Sequence, residues 1–196
     1  GKTTLFNVLT GILKADAGRF YFKGKNVINL PPHILMSMGI GRTFQIPKIF
    51  NEMTVLENML IPTISRKIKR EHAIKKAINL LKTVNLHHLL DSPAIELSVG
   101  QQKLLEIMMI LMLDATVLFL DEPFSGVNPV VKDILMEFLV KFRQEKGTII
   151  LISHDLPSTM KLCEKVFVMN QGKIIAEGTP FEVSYNPDVI QAYLGA

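Results

Sequence analysis

The chain has 196 residues, 48% hydrophobic and 20% charged, a balance that suits one globular domain and excludes a disordered polypeptide. A net charge of +4 without a long single-sign block gives no case for nucleic acid as a partner, and the single cysteine, Cys163, excludes an internal disulfide framework. The longest wholly apolar run, residues 107–113, is far short of the roughly 20 residues a membrane span needs, so a soluble protein is expected, with any membrane role coming through a partner.

The chain opens GKTTLFNVLTGIL, and Leu5, Val8, Leu9 and Ile12 predict a helix over 3–13. Gly1, Lys2, Thr3 and Thr4 are the back half of G-x-x-x-x-G-K-[ST]. In that loop backbone N–H groups cradle phosphates, the lysine neutralises the outer ones, and the following hydroxyl binds Mg²⁺. Four residues alone do not separate this from coincidence. The segment RFYFKG then predicts a short strand, and Ile34, Leu35 and Met38 a short helix after Pro31-Pro32. GIGRTFQ at 39–45 is strand-like and stopped by Pro47, which leaves Gln45 at its end as a structural amide or a ligand for Mg²⁺ or water.

Thr54 and Glu57 match a capping box, and the helical pattern continues to about Leu90, with residues 66–76 as a basic face. Residues 54–110 read as a helical insertion. Within it LSVGQQK holds a second capping box, Ser98 with Gln101, while Gly100 allows close approach to the backbone. This is either a well-capped helix and nothing more, or a helix N-terminus that presents the Ser98 hydroxyl to an anion.

TVLFLDEP at 116–123 predicts a buried strand that delivers Asp121 and Glu122 to the C-terminal edge of a parallel sheet, where ligands bind. Asp121 suits a water-bridged Mg²⁺, and Glu122 suits a base that polarises an attacking water. The alternative is a strand ending in an acidic turn. A helix over 129–146 follows, with Val131, Leu135, Phe138, Leu139 and Phe142 on one side and Gly147 closing it at C′. TIILIS at 148–153 predicts a second buried strand from which His154 emerges on the same edge. Residues 165–178 predict a hairpin turning at 170–172, and 186–194 a terminal helix. This alternation argues for an α/β fold with a mainly parallel sheet.

In order and approximate spacing, GKTT, Gln45 in RTFQ, LSVGQ, VLFLDEP, SGVNP and SHD resemble ABC-type ATPase domains, and the segment from Val166 to Val183 is similar to their C-terminal strands. GIGRTFQIPKIFNEMTVLENML and NPDVIQAYLG look like the ATPase subunits of branched-chain amino acid importers. The resemblance implies a P-loop ATPase fold, one domain over 1–196 with the 54–110 helical subdomain inserted in a RecA-like core. It implies that two such subunits sandwich two ATP molecules head to tail. Gly1, Lys2, Thr3 and Thr4 would hold phosphates, with Thr3, Gln45 and Asp121 around Mg²⁺. Ser98, Gly100 and Gln101 would reach the nucleotide of the other subunit, and Asn128 would also belong to the ATP site. Glu122 would be the general base and His154 a switch at the γ-phosphate.

The same resemblance implies that the helical insertion docks on two transmembrane permease subunits at the cytoplasmic face of the inner membrane. A periplasmic or extracellular solute-binding protein would act indirectly, and ATP hydrolysis would drive amino acid import. Rival expectations are another cargo such as urea, another amide or a lipid, a non-transport ABC protein on ribosomes or DNA, and a P-loop kinase or GTPase. The last has no need of LSVGQ, and no N-K-x-D motif occurs. Val99 stands where the family most often has Gly, Asn128 where many members have Asp, and Met109 where Arg is expected. The glycine arch, the first strands and the adenine-stacking aromatic would lie before Gly1. The opening therefore reads as a cut end, and this stretch alone is expected to bind ATP poorly and to be inactive.

Overall fold

The computed structural model describes residues 1–64, 66 and 68–194. Lys67 of the basic stretch and Gly195 of the ending lie outside them. In chain order the elements are α1 (Lys2–Leu9), β1 (Tyr21–Phe22), β2 (Lys25–Asn26), α2 (Pro32–Met38), β3 (Ile40–Arg42), α3 (Val55–Leu60), α4 (Arg70–Thr83) and α5 (Val99–Leu111). Then come β4 (Val117–Asp121), α6 (Pro129–Gln144), β5 (Thr148–Ile152), α7 (Leu156–Leu162), β6 (Val166–Asn170), β7 (Lys173–Gly178), α8 (Pro180–Ser184) and α9 (Pro187–Leu194). They divide into two compact units, Leu30–Ile152 and the flanking segments Gly1–Asn29 with Ser153 onward. Among the described residues no helix is long and apolar enough to cross a membrane.

The unit Leu30–Ile152 is built on a parallel sheet of order β3-β4-β5. All five residues of β4 are buried, as its unbroken apolar run predicts for a central parallel strand. Strand β5 is only partly covered, with Ile152 its one buried residue. It is less buried than its sequence predicts, because it lies at the edge of this sheet. Helix α5 is buried almost all round from Gly100 to Leu111, which explains the apolar run EIMMILML: unbranched methionines fill irregular space between neighbours on several sides. Met109 lies in this core.

The helical stretch after Thr54 is broken where a continuous pattern was expected. Helix α3 ends at Leu60, Pro62 sits in a single 3-10 turn, and α4 begins only at Arg70, because proline offers no N–H to continue the ladder. Helix α4 is tied to the end of α5 by Lys76, which donates to the Met112 carbonyl at 2.9 Å and pairs with Asp114. Strand β3 stops at Arg42, so Gln45 lies three residues beyond the strand it was expected to end. Helix α6 closes through Lys146, not Gly147: Lys146 takes φ 68°, and the Lys146 and Gly147 amides donate to Arg143 and Phe142 in a Schellman pattern. Gly147 is needed for space, since a Cβ there would lie 2.3 Å from the Phe142 ring.

In the other unit α1 ends at Leu9 and not near residue 13. Gly11 at φ 76° supplies the left-handed residue that turns the chain, and the Gly11 and Ile12 amides donate back to Val8 and Asn7. RFYFKG is not a single strand: it holds β1 and the Lys23-Gly24 turn of a tight hairpin that β2 completes. Strands β6 and β7 pair as the expected hairpin through Gln171-Gly172, both with positive φ. Its inner face packs Ala176 against Val183 and Val189.

Candidate nucleotide-hydrolysing site

The C-terminal end of β4 gathers buried charged groups of the unit Leu30–Ile152. Asp121 is the last residue of the strand and is buried. Its amide donates to the Thr43 hydroxyl at 3.3 Å, and its Oδ2 lies 3.6 Å from Nη2 of Arg42, the last residue of β3. Burial raises the Asp121 carboxyl, the Arg42 charge opposes this, and the Glu122 charge adds to it. Burial likewise lowers the Arg42 guanidinium, against the pull of Asp121 and Glu106.

Glu122 follows directly, half-buried and at φ 49°, a conformation uncommon for a residue with a Cβ. Its amide donates to the Ile152 carbonyl at 3.0 Å. Its carbonyl accepts from Lys103 Nζ at 2.7 Å, and the same ammonium donates to the Ser125 carbonyl at 2.8 Å. Lys103 is buried, which lowers its pKa, while Glu122, Glu106 and Asp121 favour the charged form. Two cations, Arg42 and Lys103, thus stand among three carboxylates.

Ser98 caps α5 as its spacing predicts. Its hydroxyl accepts from the Gln101 amide at 3.3 Å, and Gln101 Oε1 accepts from the Ser98 amide at 2.9 Å. Ser98 is exposed, so its hydroxyl keeps a donor face toward solvent. Gly100 has a packing reason of its own: a Cβ there would stand 2.9 Å from methyl groups of Val127 and Val131. The neighbours that crowd it are Val127, just before α6, and Val131 in its first turn. Asn128 caps α6, accepting from the Val131 amide at 3.0 Å. Gln45 is exposed in the bend after β3.

The remaining residues of interest lie in the other unit. Lys2, Thr3 and Thr4 form the exposed first turn of α1, with Gly1 as its N-cap. His154 is exposed, two residues after β5 and one before Asp155, which caps α7 by accepting from Ser158. Among the described residues no cluster of three or more His, Cys, Asp or Glu forms a protein-only metal cage. The amide of Gln45 and the carboxylate of Asp121 in the unit Leu30–Ile152, and the hydroxyl of Thr3 in the other, each offer a hard oxygen donor of the kind Mg²⁺ takes.

Sequence reasoning missed Arg42, Lys103 and Glu106. A charge inside an apolar run is their only trace in the sequence, and KLLEIMM carries two.

Residues 1–125 match the family model described as ABC transporter, and residues 173–196 match that of the branched-chain amino acid ATP-binding cassette transporter. The chain belongs to the ABC transporter family. It is 40% identical to a probable branched-chain amino acid transport ATP-binding protein, LivG, of Archaeoglobus fulgidus, over all of this chain and 81% of that one. A high-affinity branched-chain amino acid transport ATP-binding protein of Pseudomonas aeruginosa, BraF, is 38% identical over all of this chain and 83% of its own. The crystal structure of the ADP conformation of an ABC transporter's ATP-binding cassette superposes with a TM-score of 0.88, at 37% identity, covering all of this chain and 84% of that one. The ABC ATPase fold thus accounts for both the parallel sheet and the order of motifs along the chain.

Proposed function

We propose that this ABC ATPase binds ATP and hydrolyses it to ADP and phosphate to energise an importer of branched-chain amino acids. The observation that carries the chemistry is Glu122, held at the end of a buried parallel strand directly after Asp121. In that position its carboxylate polarises the water that attacks the γ-phosphate. Lys2 neutralises the outer phosphates, the first turn of α1 with Gly1, Thr3 and Thr4 supplies hydroxyl and N–H donors, and His154 contacts the γ-phosphate. Thr3, Gln45 and Asp121 would hold Mg²⁺, which when bound would supply positive charge against the charge developing on the phosphate. The cargo reading is supported by the two curated relatives and by the match of the C-terminal segment.

The site is completed by a second ATPase subunit arranged head to tail, whose Ser98, Gly100 and Gln101 reach the nucleotide; Asn128 lines the same site. The exposed Ser98 at a capped helix N-terminus supports this, since a helix start stabilises an anion. The helical segment within 54–110 docks on two permease subunits, with the solute-binding protein acting across the membrane, so the ATPase sits peripherally on the cytoplasmic face of the cell membrane.

Dimerisation tests the composite site. Glu122→Gln in the full-length protein should accumulate an ATP-bound dimer in gel filtration, and adding Ser98→Arg should return it to monomer. A dimer that is indifferent to Ser98→Arg would remove Ser98 from the interface.

A further inference from the structure

Glu122 needs more than a place on the sheet edge, because its backbone conformation is one that few side-chain-bearing residues adopt. Hydrogen bonds on both sides of its Cα hold it there. The Glu122 amide is fixed to Ile152 of β5, and the Glu122 carbonyl is fixed to the Lys103 ammonium. The second Lys103 bond, to the Ser125 carbonyl, joins with the Ser125 amide, which donates to the Glu122 carbonyl at 3.2 Å. Residues 122–125 are therefore a turn locked at both ends by one buried cation. A methionine would fill nearly the same volume in this apolar helix. What the ammonium adds is direction: it reaches two carbonyl oxygens that no apolar side chain can satisfy. Lys103 also lies on α5, five residues from the Ser98 cap, about 7.5 Å along the same rigid rod.

We propose that Lys103 is a positioning residue that aims Glu122 and couples its turn to the helix whose N-terminus carries Ser98. The inference rests on the reading of Glu122 as the base. It predicts that the loss of Lys103 is felt in turnover and not in nucleotide affinity, because Lys103 acts on the base and not on ATP.

The experiment compares Lys103→Met and Lys103→Arg, each with Glu122 intact and with Glu122→Gln, by steady-state and single-turnover ATP hydrolysis in the full-length protein. Lys103→Met should lower kcat at least about tenfold with the KM for ATP within about threefold, the signature of an interaction that serves the transition state. Lys103→Arg, which keeps its donors, should recover at least about a third of the rate. On the Glu122→Gln background Lys103→Met should change the residual rate by less than about twofold, because residues acting as one unit are not additive. Unchanged turnover in Lys103→Met, or a full further loss on the Glu122→Gln background, would overturn the proposal. Failure of Lys103→Met to fold by circular dichroism, with Lys103→Arg folded, would assign Lys103 to stability alone and overturn it equally. If Glu122→Gln itself hydrolyses ATP normally, the role of Glu122 fails, and the Lys103 proposal fails with it. If Glu122→Gln is inactive and Lys103→Met is not, only the Lys103 proposal fails.

Discussion

Glu106 is buried one helical turn beyond Lys103, where its Oε1 accepts from the Lys48 amide at 2.9 Å and its Oε2 has no hydrogen-bond partner among the described residues. Burial pushes its carboxyl up to about 7, although the amides of Lys48 and Phe44 and the charges of Lys103 and Lys48 favour the ionised form. A raised carboxyl is protonated in the folded state across a range where the unfolded chain has already ionised. Its contribution to stability is fully present below about pH 4.5 and lost as pH rises through about 7, on the order of 3 kcal/mol. Glu106→Gln keeps an acceptor for Lys48 and removes the charge. Its stability relative to the native sequence should therefore improve between pH 5 and pH 8 in denaturant melts, whereas parallel pH profiles would show that Glu106 does not titrate in this window. None of this was legible in the sequence, where Glu106 and Lys103 sit three apart like any solvated helix pair. Asp121 and Glu122 were legible because four apolar residues before them fix their place on a strand. Arg42 was not, since its partner is 79 positions away.

Elements were legible where the signal is local. Both capping boxes, at Thr54 and at Ser98, form with the expected reciprocal bonds, and the β6–β7 hairpin turns where expected. Boundaries failed where one residue's geometry outweighs periodicity, as at Gly11 after α1 and Pro62 after α3. Strand β3 illustrates packing that no pattern reveals. It lies so close to α5 that a Cβ on Gly41 would stand 2.1 Å from Ile110 Cγ2, and 3.4 Å from the Ala115 Cβ. Gly41→Ala should destabilise the protein by about 1–3 kcal/mol through overpacking, seen as a lower denaturation midpoint, and Ile110→Ala should recover part of that loss. Native stability in Gly41→Ala would mean that the strand and helix separate more easily than this contact implies.

At the scale of the whole molecule, the family was legible because its motifs are short, polar and strung in a fixed order that survives substitution at Val99 and Met109. The proposed residues are shared between two compact units, with Lys2, Thr3 and His154 in one and Gln45, Ser98, Asp121 and Glu122 in the other. That division was invisible in the sequence, since it depends on which segments share a core. Steady-state ATP hydrolysis by the full-length protein, with and without Glu122→Gln, tests the account most directly. Replacing a positioned general base should lower the rate at least about 100-fold. Hydrolysis by Glu122→Gln at the native rate would contradict it.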